Sequence, residues 1–155
     1  MDPAIPPSSA AIESAAAILE VLPALMGSLR HQMAHEKRKR LTMVQFRTLS
    51  ILDREKSLSL SKLAKQMEMG LPATSKVVDG LVQSALVERE VDPDDRRKVS
   101  LRISKHGAEE LQATRQLARE HLARILAPLS PKEHREVSQT MNTLRALVRE
   151  RIERH

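Results

Sequence analysis

The side chains best suited to chemistry in this sequence are small polar and basic ones gathered between residues 61 and 103. Thr74, Val77, Val78, Leu81 and Ala85 recur at helical spacing and predict a buried stripe. That leaves Ala73, Lys76, Gly80 and Gln83 on the opposite side, beside Ser75 and Asp79. Such a face suits an element pressed against another surface. There Ser75 can bond a phosphate or a base edge, Ala73 can meet a thymine methyl, and Lys76 can reach guanine or phosphate. Farther on, Val87, Arg89 and Val91 alternate, DPDDRRK follows, and Val99, Leu101 and Ile103 alternate again, predicting a two-stranded ribbon. Arg96, Arg97 and Lys98 concentrate positive charge at its tip, which is slim enough for a minor groove, where narrow A·T tracts attract arginine. A helix-turn-helix followed by a basic-tipped hairpin is the layout of a winged DNA reader. A soluble turn with self-neutralising charges would explain DPDDRRK alone, but not its place directly after a helix-turn-helix pattern.

Other chemistries find less support. The chain has no cysteine, which excludes disulfides and thiol catalysis. Its four glycines are scattered singly at 27, 70, 80 and 107, so no glycine-rich phosphate loop is present, and no nucleophile–base pair is evident. The reading is therefore of a protein that is not an enzyme and needs no cofactor. His31 and His35 lie one helical turn apart with Glu36 adjacent, a two-ligand metal spacing, but no third ligand is near in sequence and no metal site is assigned. With one Phe and neither Tyr nor Trp, the chain lacks the rings on which single-stranded nucleic acid is usually stacked. Lys and Arg outnumber Asp and Glu by 26 to 20, a net charge of +6 that favours an acidic partner such as duplex DNA. No run is read as approaching the ~18 apolar residues of a membrane span. The opening MDPAIPPSS resembles no secretory signal, so a soluble cytoplasmic protein without a membrane partner is expected.

The positioning elements follow from periodicity. Residues 1–9, with three prolines, read as a disordered arm. Ile12, Ala15, Leu19, Leu22, Met26, Leu29 and Met33 step by threes and fours, predicting a helix over 10–36 with a kink at Pro23 and an apolar face wide enough for a second protomer. The basic run EKRKR at 36–40 reads as a solvated helix end or a phosphate contact. Thr42 and Gln45 fit a capping box, with Leu41 and Phe46 as its staple, and the helix that follows is expected to bury Val44, Leu49, Ile51 and Leu52. Ser57 to Leu60 alternate like a short strand, Ser61 is read as the cap of the next helix, and Gly70 as its left-handed close. Pro72 suits the first turn of the helix after that. Residues 104–155 predict two more helices, one carrying Leu111, Ala118, Leu122, Ile125 and Leu129. The other is opened by Ser130-Pro131-Lys132-Glu133 and carries Val137, Met141, Leu144, Val148 and Ile152.

This order of elements and several short motifs resemble the MarR family of winged-helix transcriptional regulators. LTMVQFRTLSIL is similar to the family's "LT-x-x-Q-x-x-x-L" helix, SKVVDGLVQSALVER to its recognition helix and first wing strand, and DPDDRRKVSLRISKHG to its wing. The resemblance implies a mainly α fold, with a winged helix-turn-helix at 41–103, a small antiparallel ribbon, and dimerisation helices at 10–36 and 104–155. It implies a homodimeric, sequence-specific regulator of a pseudo-palindromic duplex operator, most simply a repressor released by a small organic anion. On the matching positions, Ser61, Ala73, Ser75 and Lys76 would face DNA, with Asp95, Arg96, Arg97 and Lys98 in the wing, where Asp95 braces Arg97. Arg30, His31 and Arg47 would hold the anion. Three residues depart from the pattern: Gly80 replaces a basic residue, Ala85 a glycine, and Glu90 stands where basic residues are common. The competing reading is a helical adaptor whose winged domain binds protein, with Gly80 and Glu90 marking lost DNA contacts.

Overall fold

The structure, a computed structural model, describes residues 6–35, 41–91 and 99–153. Among the described residues six helices and three strands follow one another as α1 (Ser9–His35), α2 (Met43–Glu55), β1 (Leu58–Ser59), α3 (Leu60–Met67), α4 (Leu71–Gln83), β2 (Val87–Val91), β3 (Val99–Ile103), α5 (Lys105–Leu126) and α6 (Pro131–Glu153). The fold is mainly α with a small antiparallel sheet, as the sequence predicts. The sheet has three strands rather than two, in the order β1-β3-β2, because Leu58 and Ser59 pair with Leu101 and Ser100. The hairpin keeps a strict register from Val87↔Ile103 to Val91↔Val99. The tip at 92–98, and with it Asp95, Arg96, Arg97 and Lys98, lies outside the described residues, as does the basic run at 36–40.

Contacts divide the chain into residues 1–118 and 119–155. In the first unit Leu49, Leu52, Leu63, Leu81, Leu101 and Leu111 are fully buried, drawn from α2, α3, α4, β3 and α5. Each such leucine contributes roughly 1.5–3 kcal/mol relative to an exposed one. Three threonines share this interior: Thr48, Thr74 and Thr114 each donate to the carbonyl four residues back, at 2.8, 3.1 and 2.8 Å, so among the described residues no buried hydroxyl lacks a partner. In the second unit α6 begins with a reciprocal cap. Its Ser130 Oγ accepts from the Glu133 amide at 3.4 Å, and the Glu133 carboxylate accepts from the Ser130 amide at 2.7 Å. Those bonds hold the Glu133 carboxyl below its ordinary value of 4.5.

Several local expectations are corrected. The cap of α3 is Ser59, whose Oγ accepts from Lys62 N, and Ser61 already lies inside the helix. The left-handed residue that closes α3 is Glu68, at φ 55°; Gly70 is extended, at φ −65°, and forms the N-cap of α4. Ala85, placed on the buried stripe by spacing, is exposed at φ 56° because α4 ends at Gln83. Val44 is 40% exposed, and Thr48 occupies the buried position on α2 instead. Residues Ser9–Gln32 of α1 are, by length and composition alone, long and apolar enough to cross a membrane. The reading of the sequence missed this because Glu13, Glu20 and Arg30 break the run without much lowering its average.

The join after α4 uses positions with little tolerance. A Cβ on Gly107 would stand 2.0 Å from the Leu86 carbonyl oxygen, so Gly107→Ala should destabilise the protein by about 1–3 kcal/mol. Ala85→Gly should act in the opposite sense, by about 1 kcal/mol, because it removes a Cβ from left-handed backbone. Denaturant midpoints of the two variants against the parent measure both effects.

Candidate nucleic-acid interface

Helix α4 is anchored from one side. Thr74, Val78 and Leu81 are buried, and Val77 and Val82 pack partly against the same core. Gly70 gives the helix no side-chain cap, and proline follows in the first turn, where its missing amide costs nothing. The opposite side is open: Pro72, Ala73, Lys76 and Gln83 are exposed. Ser75 is half-buried at the margin, and its hydroxyl reaches Asp79 at 3.5 Å. Of the residues assigned to DNA from sequence, the structure therefore brings Ala73, Ser75 and Lys76 together along one helix, while Ser61 lies exposed in the first turn of α3.

Two acidic side chains near this surface, Asp79 and Glu90, are paired within the protein. Arg89 of β2 donates to the Asp79 carboxylate, joining α4 to the first wing strand. Glu90 meets Arg102 of β3 at 3.1 Å across the hairpin. The first link spans a helix and a strand, and no sequence periodicity announces it. The second is diagonal in the register that places Glu90 opposite Ser100, and alternation in the two strands was signal enough to find it. Both pairs are about half exposed, so they orient side chains more than they stabilise the fold.

A second set of cations holds the helix-turn-helix. Arg47 of α2 donates to the Gln66 carbonyl of α3 at 3.1 Å, and Arg54 donates to the Gln66 side-chain oxygen at 2.8 Å. Arg115 of α5 meets Asp53 of α2 at 2.9 Å. Arg30 and His31, assigned with Arg47 to an anion, are exposed near the end of α1. Arg47 is partly committed to α3, leaving its remaining donors for any ligand. Among the described residues no three His, Asp or Glu side chains gather in a way that could hold a metal ion.

Residues 41–99 match the model of the MarR family. A Bacillus subtilis protein described as an uncharacterised HTH-type transcriptional regulator, YfiV, is 28% identical over 104 residues, covering 67% of this chain and 65% of that protein's length. The crystal structure of Rv1404 from Mycobacterium tuberculosis superposes with a TM-score of 0.74 at 26% identity, covering 89% of this chain and 92% of that one. A MarR mutant from E. coli, crystallised with operator DNA, has the same fold, with a TM-score of 0.61 at 21% identity over 86% of this chain and 94% of that one.

Gly80 is the weak point of the open face. It has an ordinary negative φ, and a Cβ there would meet nothing within 4 Å. Gly80→Ala should therefore stabilise the protein by about 0.5–1 kcal/mol through helix propensity alone. A thermal melt that moved down instead would show that the position tolerates no side chain.

Proposed function

We propose that this chain, which belongs to the MarR family of transcriptional regulators, binds duplex DNA as a homodimer and represses transcription until a small organic anion releases it. It is a regulator and not an enzyme. The observation that supports the DNA reading best is the open side of α4. Its core-facing side is fully used, while Ala73 and Lys76 stand exposed at helical spacing with Ser75 at their margin. Recognition helices of this class enter the major groove, and in this reading the hairpin that follows reaches toward the adjacent minor groove. In that arrangement Ser75 and Lys76 meet base edges or phosphates, Ser61 meets the backbone, and Arg96, Arg97 and Lys98 supply charge at the wing tip, with Asp95 bracing Arg97. The internal pairing of Asp79 and Glu90 favours this reading over a protein-binding adaptor, because it removes two negative charges from the approach to phosphate.

The dimer reading rests on exposed apolar surface. Ile12, Leu19, Val21 and Leu22 on α1 are all more than half exposed, as are Leu147 and Val148 on α6. A second copy covers such stripes and supplies the two-fold symmetry that a pseudo-palindromic operator requires. Removing residues 144–155 should cause aggregation or unfolding. A well-folded monomer at micromolar concentration in light scattering refutes the dimer. The anion is assigned to Arg30, His31 and Arg47. A panel of aromatic carboxylates should shift the melting temperature in a concentration-dependent way, and a panel without effect removes this part of the proposal.

Gel shifts at several salt concentrations test the DNA contacts. Arg97→Ala should weaken specific and non-specific binding together and flatten the salt slope by about one unit per lost contact in each half of the dimer. Lys76→Ala should reduce the ratio of specific to non-specific affinity, by roughly 1–3 kcal/mol if it holds a guanine. Asp95→Ala separates two accounts. Bracing predicts weaker binding, whereas charge alone predicts tighter binding, and the tighter result rejects the brace.

A further inference from the structure

We infer that the first turn of α4 reads thymine, through the C5-methyl groups that this base alone presents in the major groove. The inference rests on the DNA-binding reading above and adds the base that the reader selects. Leu71, Pro72 and Ala73 open the helix, and all three are exposed, Leu71 at 49%. None has a polar side-chain atom, and the Gly70 cap before them has no side chain at all. The leading end of the helix therefore cannot read donor and acceptor patterns with its side chains.

The chemistry of the duplex narrows the occupant. Guanine, adenine and cytosine present polar edge atoms to the major groove, and thymine adds a methyl beside its O4. Pressing Pro72 and Ala73 against a purine edge or a cytosine amine would strip water from polar groups and return no hydrogen bond. Pressing them against a methyl buries apolar surface on both sides. Lys76, one turn on from Pro72 and Ala73 and also exposed, gives the patch a cationic flank, on a chain of net charge +6. A purely apolar protein partner has no use for that charge, whereas a duplex does. The first turn thus selects by methyl burial, leaving hydrogen-bond readout to Ser75 and Lys76 behind it.

The experiment begins by selecting a preferred duplex from a random pool with the full chain, then replaces each thymine with uracil in turn, which deletes only the methyl. Each contacted thymine should bind about fourfold more weakly as uracil, the equivalent of one buried methyl group. The Pro72→Ser, Ala73→Ser double variant and the separate Leu71→Ala variant, each verified as folded by its melting curve, should erase or reduce that difference at the same positions. If uracil and thymine duplexes bind alike while the selected duplex still outcompetes a scrambled one, the thymine reading is overturned and the DNA reading stands. A uracil penalty unchanged in all these variants also overturns it, since other residues then make the contact. If no duplex is preferred over scrambled DNA, the DNA reading fails and this inference falls with it.

Discussion

The structure depends most on one short join, where the carbonyls of Ala85 and Leu86, just after α4, are both tied to Ser104 at the start of α5. Leu86 N donates to Leu81 O at 2.9 Å, which closes the helix, and Ser104 N donates to Leu86 O at 3.1 Å, which closes the sheet. The Ser104 hydroxyl donates to Ala85 O at 2.7 Å and accepts from Gly107 N at 2.9 Å, which starts α5. Four elements are fixed by these bonds, and Gly107 is required because the Leu86 carbonyl fills the space of a side chain. Ala85 bears the strain of the join, since the chain must pass through left-handed backbone to turn from α4 into β2. The direction of α4 and the root of the hairpin are thereby set together, so an exposed helix face and a wing strand hold a fixed relation.

Charge around that face is arranged by pairing more than by excess. Asp79 and Glu90 would oppose a polyanion if they stood alone, but Arg89 and Arg102 meet them within the protein. Two arginines are used in this way, so the local surface depends on Lys76 and on small side chains. Small side chains allow close approach, and close approach is where methyl contacts and single hydrogen bonds discriminate. Gly80 takes this further than packing requires, because nothing fills the space where its side chain would stand. That gap lowers helix stability and keeps the face low along its length.

Much of this arrangement was legible in the sequence. The capping box at Thr42 and Gln45 appears as read, with the Gln45 side chain accepting from Thr42 N at 2.8 Å. The cap at Ser130 and Glu133, the proline in the first turn of α4 and the two strands of the hairpin are also found as read. These signals are local and chemically specific, so one residue type at one position carries them. The errors share a different cause. Ser61 and Gly70 are each good candidates for a helix boundary, but neighbouring residues, Ser59 and Glu68, do those jobs because core packing of Leu63 and Met67 sets the phase of α3. Ala85 and Val44 were placed by extending a period past the point where their helices turn or open to solvent. The link from Asp79 to Arg89 joins a helix to a strand, and only the folded chain brings it together.

The apolar stripes outside the core carry the last step. α1 exposes Leu19 at 72% and Ile12 at 58%, and α6 exposes Val148 at 57% and Met141 at 50%. Scattered exposed leucines are ordinary on a protein surface, but these recur at helical spacing along single faces. A helix of that kind is incompletely folded in an energetic sense, because its burial has not yet occurred. α1 also satisfies the length and composition of a membrane span, so hydropathy alone does not decide what covers it. Patterning favours protein: Glu13, Glu20 and Arg30 lie within the same stretch, and a lipid environment would have to bury or extend around each of them. In the proposed dimer a second copy of the chain would let those charges stay in water while it covers the stripe. That is why the reading favours a pair of winged units on DNA over a single anchored one.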